Sequence, residues 1–173
     1  GSAAAPHALA QSPKLPPEPL GEPQPSDLLG KWEIIERESS DIDLWNTVAV
    51  EFKELSPERV VMVEQWGRGR SHAETLDLAM GGVVNEQPID AKVLASNVFM
   101  GVRREIGDTR TIRAEWLAPY RKLRLREEIP VRIQQGEALL QSESTFSLSP
   151  DGAILTWTIR RPTRPVDQPL IVT

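Results

Sequence analysis

The sequence predicts an all-β protein made of antiparallel strands. Apolar and polar residues alternate along short runs, and turn-forming residues separate the runs. The runs recur at intervals of roughly 8–12 residues, without a long stretch that has the 3.6-residue apolar period of a helix. This combination is typical of an antiparallel sandwich or barrel.

Alternation with a period of two identifies the strands, because successive side chains of a strand point to opposite faces of a sheet. The predicted strands are 31–37, 47–54, 59–66, 70–78, 97–106, 110–117, 121–128, 138–148 and 153–161. The sets expected to share a buried face are Val48, Val50 and Phe52; Val61 and Val63; Ile112, Ala114 and Trp116; Leu123 and Leu125; and Leu155, Trp157 and Ile159. Residues 79–96 fit either a bulged strand or a loop.

Turn residues separate these strands, and Ser149-Pro150-Asp151-Gly152 has the clearest turn pattern. Proline presets φ at the first central position of a turn, and glycine accepts the left-handed position that follows. Gly67-Arg68-Gly69-Arg70 is also interpreted as a turn, since no strand-to-helix pattern accompanies it as a phosphate loop would require. A short helical turn is predicted at Ser26–Leu29, with Ser26 as its cap.

Proline divides the chain into an extension, residues 1–26, and a single domain, residues 27–173. Seven of the fifteen prolines lie in the extension, where they oppose helices and central strands. We therefore expect it to bury little surface. Gly1-Ser2 is typical of a remnant left by tag removal, and Ala8-Leu9-Ala10 resembles a signal-peptidase site, which predicts an exported, periplasmic or extracellular protein.

Composition narrows the possible functions. The chain has no Cys and two His, which excludes thiolate chemistry and makes a multi-His metal site improbable. A net charge of -5 argues against nucleic-acid binding, and no apolar run approaches the roughly 20 residues that span a bilayer. His72 with Glu74 and Asp77, and the acidic pairs Asp41/Asp43 and Glu127/Glu128, are interpreted as solvated strand residues. We predict no catalytic residue, no metal and no cofactor.

The start of the domain resembles a known family. Ser26-Asp27-Leu28-Leu29-Gly30-Lys31-Trp32 places a helical turn before a Gly-x-Trp strand, as in lipocalins and their calycin relatives, and the hairpin around Ser149–Gly152 resembles one in exported bacterial lipocalin-like proteins of unknown function. The resemblance implies an up-and-down barrel of about eight to ten strands. It also implies that Trp32 closes one barrel end, with Gly30 beneath the strand and Arg160 or Arg161 across the indole. The Thr-Asp-Tyr element of lipocalins proper is missing.

A barrel of this size predicts a non-catalytic binding protein for a small hydrophobic or amphipathic ligand. Tryptophan and methionine side chains are suited to such a ligand because they combine large apolar area with adaptable contacts. The candidates are Trp45, Trp66, Met100 and Trp116.

An alternative function follows from the charge distribution. Residues 27–100 hold 7 basic and 14 acidic side chains, whereas residues 101–173 hold 12 basic and 9 acidic ones. A basic patch is predicted on the sheet at Arg113, Arg121, Lys122, Arg124 and Arg126. If side chains fill the barrel, this patch predicts a module that binds an acidic protein or an envelope component.

Overall fold

The protein is all-β, which confirms the predicted class. The computed structural model describes residues 7–10, 18–35, 47–68, 70–89, 107–133, 136–162 and 169–172. The strands are β1 His7–Ala10, β2 Gly30–Ile35, β3 Thr47–Leu55, β4 Arg59–Arg68, β5 Arg70–Ala79, β6 Val84–Pro88, β7 Thr109–Ala118, β8 Lys122–Ile133, β9 Gly136–Leu148, β10 Ile154–Pro162 and β11 Pro169–Val172. A 3-10 helix, Pro25–Asp27, precedes β2, and Gln24 rather than Ser26 occupies its cap position.

Two antiparallel meanders, β2–β5 and β6–β10, form the sheet structure. Strand β1 joins them, because it pairs with β2 on one side and with β10 on the other. Strand β11 pairs with the end of β10. The sequence of neighbours is therefore that of an up-and-down arrangement whose first strand meets the last long strand.

A gap remains between β5 and β6, the two ends of this strand order. Within the described residues no backbone ladder joins them, so the predicted closed barrel is not shown. Side chains bridge the gap instead: Asn85 Oδ1 accepts from Ala79 N at 2.8 Å, and Asn85 Nδ2 donates to Ala79 O at 2.9 Å. Gln87 Nε2 also donates to Thr75 O, at 3.2 Å.

Most predicted strands correspond to observed ones. The predictions from 31–37 to 70–78 match β2–β5, and those from 110–117 to 153–161 match β7–β10, with ends that differ by a few residues. Strand β6 lies in the ambiguous stretch 79–96. The predicted strand 97–106 lies outside the described residues.

The main core fills the space between the two meanders. Its fully buried large side chains include Trp32, Phe52, Met62, Leu123 and Phe146. Phe146 contacts both Phe52, edge to face at 5.7 Å, and Trp157, stacked at 5.2 Å. The four other predicted buried sets lie on this inner side, although Trp116 is only partly buried.

The predicted buried face of β4 is wrong. The buried residues of this strand are Val60, Met62, Glu64 and Trp66, whereas Val61 and Val63 are partly exposed. The strand has apolar residues on both faces near its start, so alternation alone did not determine which face is inside.

The described part of the Pro-rich extension contacts the domain more than expected. Strand β1 supplies main-chain pairing to both β2 and β10, and Leu20 packs against the core over the turn at Gly152. The backbone N–H of Leu20 donates to Pro150 O at 2.9 Å. The expectation that the extension contributes little does not fit these contacts.

Trp32 is fully buried at the start of β2. Its indole N–H donates to Leu28 O at 2.9 Å, which satisfies its one polar group. Gly30, two residues earlier, has a φ of 114°, a conformation that favours glycine. Arg160 is exposed on the face of β10 opposite the buried Trp157, so it does not cover the core side of this sheet, and the Arg161 side chain lies outside the described residues.

Among the described residues, no helix has both the length and the apolar character required to cross a membrane.

Candidate functional site

The inner face of the sheet carries a buried charged cluster at one end. Arg110 on β7 donates from Nη2 to Glu74 Oε1 at 2.8 Å and from Nη1 to Glu127 Oε2 at 3.2 Å. Glu64 lies directly opposite Glu74 in the β4–β5 register, and all four side chains are nearly inaccessible to solvent. The interpretation of Glu127 as a solvated residue is therefore wrong: only its neighbour Glu128 is exposed.

Three acidic side chains and one guanidinium make up this cluster, and they determine its electrostatics. Burial alone would lower the pKa of Arg110, but attraction by Glu127, Glu64 and Glu74 outweighs burial and raises that pKa. Arg110 therefore keeps its charge, and it bridges β5 and β8 beneath the gap between β5 and β6. The ion pairs of this cluster link the two meanders.

Trp66 and His72 continue the inner face beyond this cluster. Their rings meet edge to face at 5.0 Å, and they are directly paired across β4 and β5. Trp66 is 3% exposed, and its indole N–H is buried without a hydrogen-bond acceptor. The interpretation of His72 and Glu74 as solvated residues is wrong, because His72 is only partly exposed and Glu74 is buried on the inner side of β5. Asp77 is exposed, as expected, and is bound by Arg59 at 2.7 Å.

The candidate ligand-binding residues do not converge. Trp116 donates from Nε1 to Ser56 O at 3.0 Å and contacts Tyr120 at 5.4 Å, close to the β3–β4 turn. Trp66 lies at the other end of β4, which places it roughly 20 Å away at about 3.3 Å per strand residue. Trp45 and Met100 lie outside the described residues.

A groove of about 590 Å³ lies on the outer face of β6–β10. Two parallel rows of side chains line it, and each row runs across the strands through directly paired residues. The first, the arginine row, is Val84, Arg113, Arg126, Glu143 and Arg160, one residue from each of five successive strands. The second, the acidic row, contains Thr111, Glu128 and Gln141. Glu127 and Ser142, whose side chains are buried, also line the groove between the two rows.

The arginines of the groove retain free hydrogen-bonding capacity. Arg113 donates from Nη1 to the backbone carbonyl of Gly82 at 2.8 Å, and Arg126 Nε lies 3.7 Å from Glu143 Oε2 with both side chains substantially exposed. Arg160 has no ion pair within the described part of the chain. Arg113 and Arg126 are directly opposite each other, and the ion pair between Arg126 and Glu143 offsets part of this like-charge repulsion.

The rest of the predicted basic patch is dispersed. Arg121 binds Asp27 at 3.1 Å and the carbonyl of Gly21 at 2.8 Å, so it fastens the extension to the domain. Arg124 forms an ion pair with Glu115, directly across from it on β7. Lys122 is exposed at the start of β8. Only Arg113 and Arg126 of the predicted patch line the groove, and Arg160 joins them there.

A smaller cavity of about 370 Å³ lies at the β8–β9 hairpin. Its lining residues are Asp108, Pro130, Val131, Glu137, Ala138 and Leu139. Leu139 is 57% exposed, whereas Val131 belongs to a small buried cluster with Ile89, Ile129 and Leu140.

No family model, curated protein or solved structure matched the chain when it was compared with each of these. Within the part of the chain that the structure describes, no three His, Asp or Glu side chains are placed to hold a metal ion.

Proposed function

We propose that the protein is a non-catalytic interaction module whose outer groove binds an acidic polypeptide partner. The observation that carries this proposal is the arginine row: Arg113, Arg126 and Arg160 line one 590 Å³ groove, on three strands of the sheet. Guanidinium groups bind carboxylates through planar, paired donors, so exposed arginines with spare donors suit an acidic ligand.

The filled interior supports this function over small-ligand binding. Aromatic and aliphatic side chains occupy the space between the meanders, and the cluster around Arg110 occupies the polar end. Neither of the two cavities described above has a tryptophan or methionine in its lining. A binding site for a hydrophobic molecule would require such a lining in an enclosed space.

The architecture that we propose is a lipocalin-like, calycin-type barrel opened between β5 and β6. Its support is the meander order, in which β1 meets β10, together with the Gly30-x-Trp32 entry and the buried indole. Ala8-Leu9-Ala10 lie in β1, which pairs with both β2 and β10, so cleavage after Ala10 would remove a strand of the sheet, and export is not part of this proposal.

Fluorescence anisotropy with a labelled hexaglutamate peptide tests the proposed binding. The test variant carries Arg113→Gln, Arg126→Gln and Arg160→Gln. Each exposed arginine–carboxylate contact contributes about 0.2–1 kcal/mol, so the triple variant should bind the peptide roughly threefold to a hundredfold more weakly. Raising the salt concentration should weaken binding to the wild type as well.

A matched control separates the groove from net charge. Lys31→Gln, Lys53→Gln and Arg59→Gln remove the same three charges from exposed positions on β2–β4. The control should keep most of the wild-type affinity. Equal loss in both triple variants, or no binding by the wild type, would contradict the proposed function.

A further inference from the structure

The groove runs across the strands rather than along them. Its two rows of side chains each follow directly paired residues from strand to strand. Neighbouring strands are about 4.8 Å apart, so the five residues of the arginine row extend over about 19 Å. A bound polypeptide that follows the rows therefore crosses the strands.

The floor of the groove consists of side chains, not of a free strand edge. Strands β7, β8 and β9 are paired on both sides, so they offer no main-chain groups for strand addition. A segment that binds here receives no regular backbone hydrogen bonds from the protein. Polyproline II is suited to this situation, because its backbone makes no internal hydrogen bonds and remains solvated.

The charges of the arginine row have a defined spacing. Arg126 and Arg160 are two strands apart, about 9.6 Å, and Glu143 lies between them in the same row. Glu143 repels a carboxylate placed directly above it. The row therefore binds two separated carboxylates more tightly than two adjacent ones.

Polyproline II matches this spacing. The helix has three residues per turn and rises about 3.1 Å per residue, so residues i and i+3 lie on one side, about 9.3 Å apart. We propose that the partner is a proline-rich segment in the polyproline II conformation, and that its acidic residues are three positions apart. This inference rests on the proposed function and specifies its partner.

In this arrangement one carboxylate binds Arg126, with Arg113 beside it, and the next binds Arg160. The two intervening residues point away from Glu143. Glu128 in the acidic row disfavours a further carboxylate on that side of the segment.

A set of labelled proline peptides tests this spacing. Each has blocked termini and two glutamates, separated by two, three, four or five positions, so length and charge are constant. Anisotropy should show the tightest binding at a separation of three, by about twofold to fivefold, which is the gain from one additional exposed ion pair. Arg160→Gln should remove this preference, because one of the two anchors is lost, and Arg59→Gln should leave it intact.

Glu143→Gln gives a second readout. Without the central negative charge, peptides with other separations should approach the affinity of the three-position peptide. Equal binding of all peptides by the wild type, with loss in the triple arginine variant, would overturn the spacing and leave the acidic-partner function standing. Absence of binding to any acidic peptide would overturn both.

Discussion

Replacing Arg110 with Met should strongly destabilise the fold. Arg110 contacts Glu74 at 2.8 Å and Glu127 at 3.2 Å, and attraction by Glu64 also acts on it. The three paired side chains are at most 8% exposed. The substitution preserves the apolar stem of the side chain but leaves buried carboxyl groups without their cation.

The magnitude follows from this burial. Removing one partner of a buried ion pair costs about 3–5 kcal/mol, since an uncompensated charge remains in a medium of low polarity. For a domain of this size, 1 kcal/mol corresponds to about 2–4 °C in melting temperature, so Tm should fall by roughly 6–20 °C. Urea unfolding followed by circular dichroism measures the change in free energy, and thermal unfolding measures the shift in Tm.

Two further variants make this test specific. Arg59→Met removes an exposed cation that binds Asp77 and Glu54, and it should lower Tm far less than Arg110→Met does, because solvent screens an exposed ion pair. Adding Glu64→Leu, Glu74→Leu and Glu127→Leu to Arg110→Met should restore much of the stability, because apolar residues often replace a buried ionic cluster without loss. If the free energy of unfolding of Arg110→Met lies within about 1 kcal/mol of the wild-type value, the cluster is not a buried ionic link between the two meanders.

Three other stability predictions follow from the core, the surface and the extension. Trp32→Ala should lower the free energy of unfolding by on the order of 3–5 kcal/mol in urea titrations, because the indole is fully buried; a loss under 1 kcal/mol would contradict that burial. The hydrogen bond from Arg59 lowers the pKa of Asp77 below its ordinary value of 3.8, so this contribution is present above about pH 4 and is lost as pH falls through the folded pKa. Asp77→Asn should therefore reduce the acid-induced loss of stability between pH 6 and pH 2.5, and an unchanged pH profile would contradict the pairing. Gly152→Ala should lower the free energy of unfolding by about 1–2 kcal/mol in chemical denaturation, because φ is +75° and the added Cβ would lie 2.8 Å from Leu20 Cδ1. A variant as stable as the wild type would contradict both the left-handed backbone at Gly152 and its contact with Leu20.

Local patterns predicted the strands because the signals are themselves local. Alternation at Leu123 and Leu125 and the turn at Ser149–Gly152 depend on neighbours within a few residues. The observed turn has the expected geometry, with Gly152 N donating to Ser149 O at 2.9 Å. Short strands such as β1 were missed, because the prolines around them argue against a strand and the pairing comes from distant partners.

The buried charges required information that no local pattern contains. Glu64 is buried on the inner face of β4, whereas the alternation pattern predicts that a charged residue faces solvent. Its position inside depends on Arg110, a residue 46 positions further along the chain. The same pattern predicts a solvent-exposed side chain for Glu127, which is buried.

The groove was partly predictable. Arg113 and Arg126 were expected on one basic surface, and the structure pairs them directly. The resemblance to a known family predicts that Arg160 lies across the indole of Trp32, whereas the register of β9 and β10 places Arg160 in the arginine row. Only the full set of strand pairings determines which side chains share a row. Charge counts along the sequence do not contain these pairings.

The central claim is that acidic polypeptide binds the outer groove and not the interior. A ¹⁵N-HSQC titration with the proline peptide that carries glutamates three positions apart measures this directly. The account predicts shifts at the backbone amides of Arg113, Arg126, Glu143 and Arg160, with the indole signals of Trp32 and Trp66 unchanged. Shifts centred on Trp66 and His72, or no shifts at the arginine row, would contradict it.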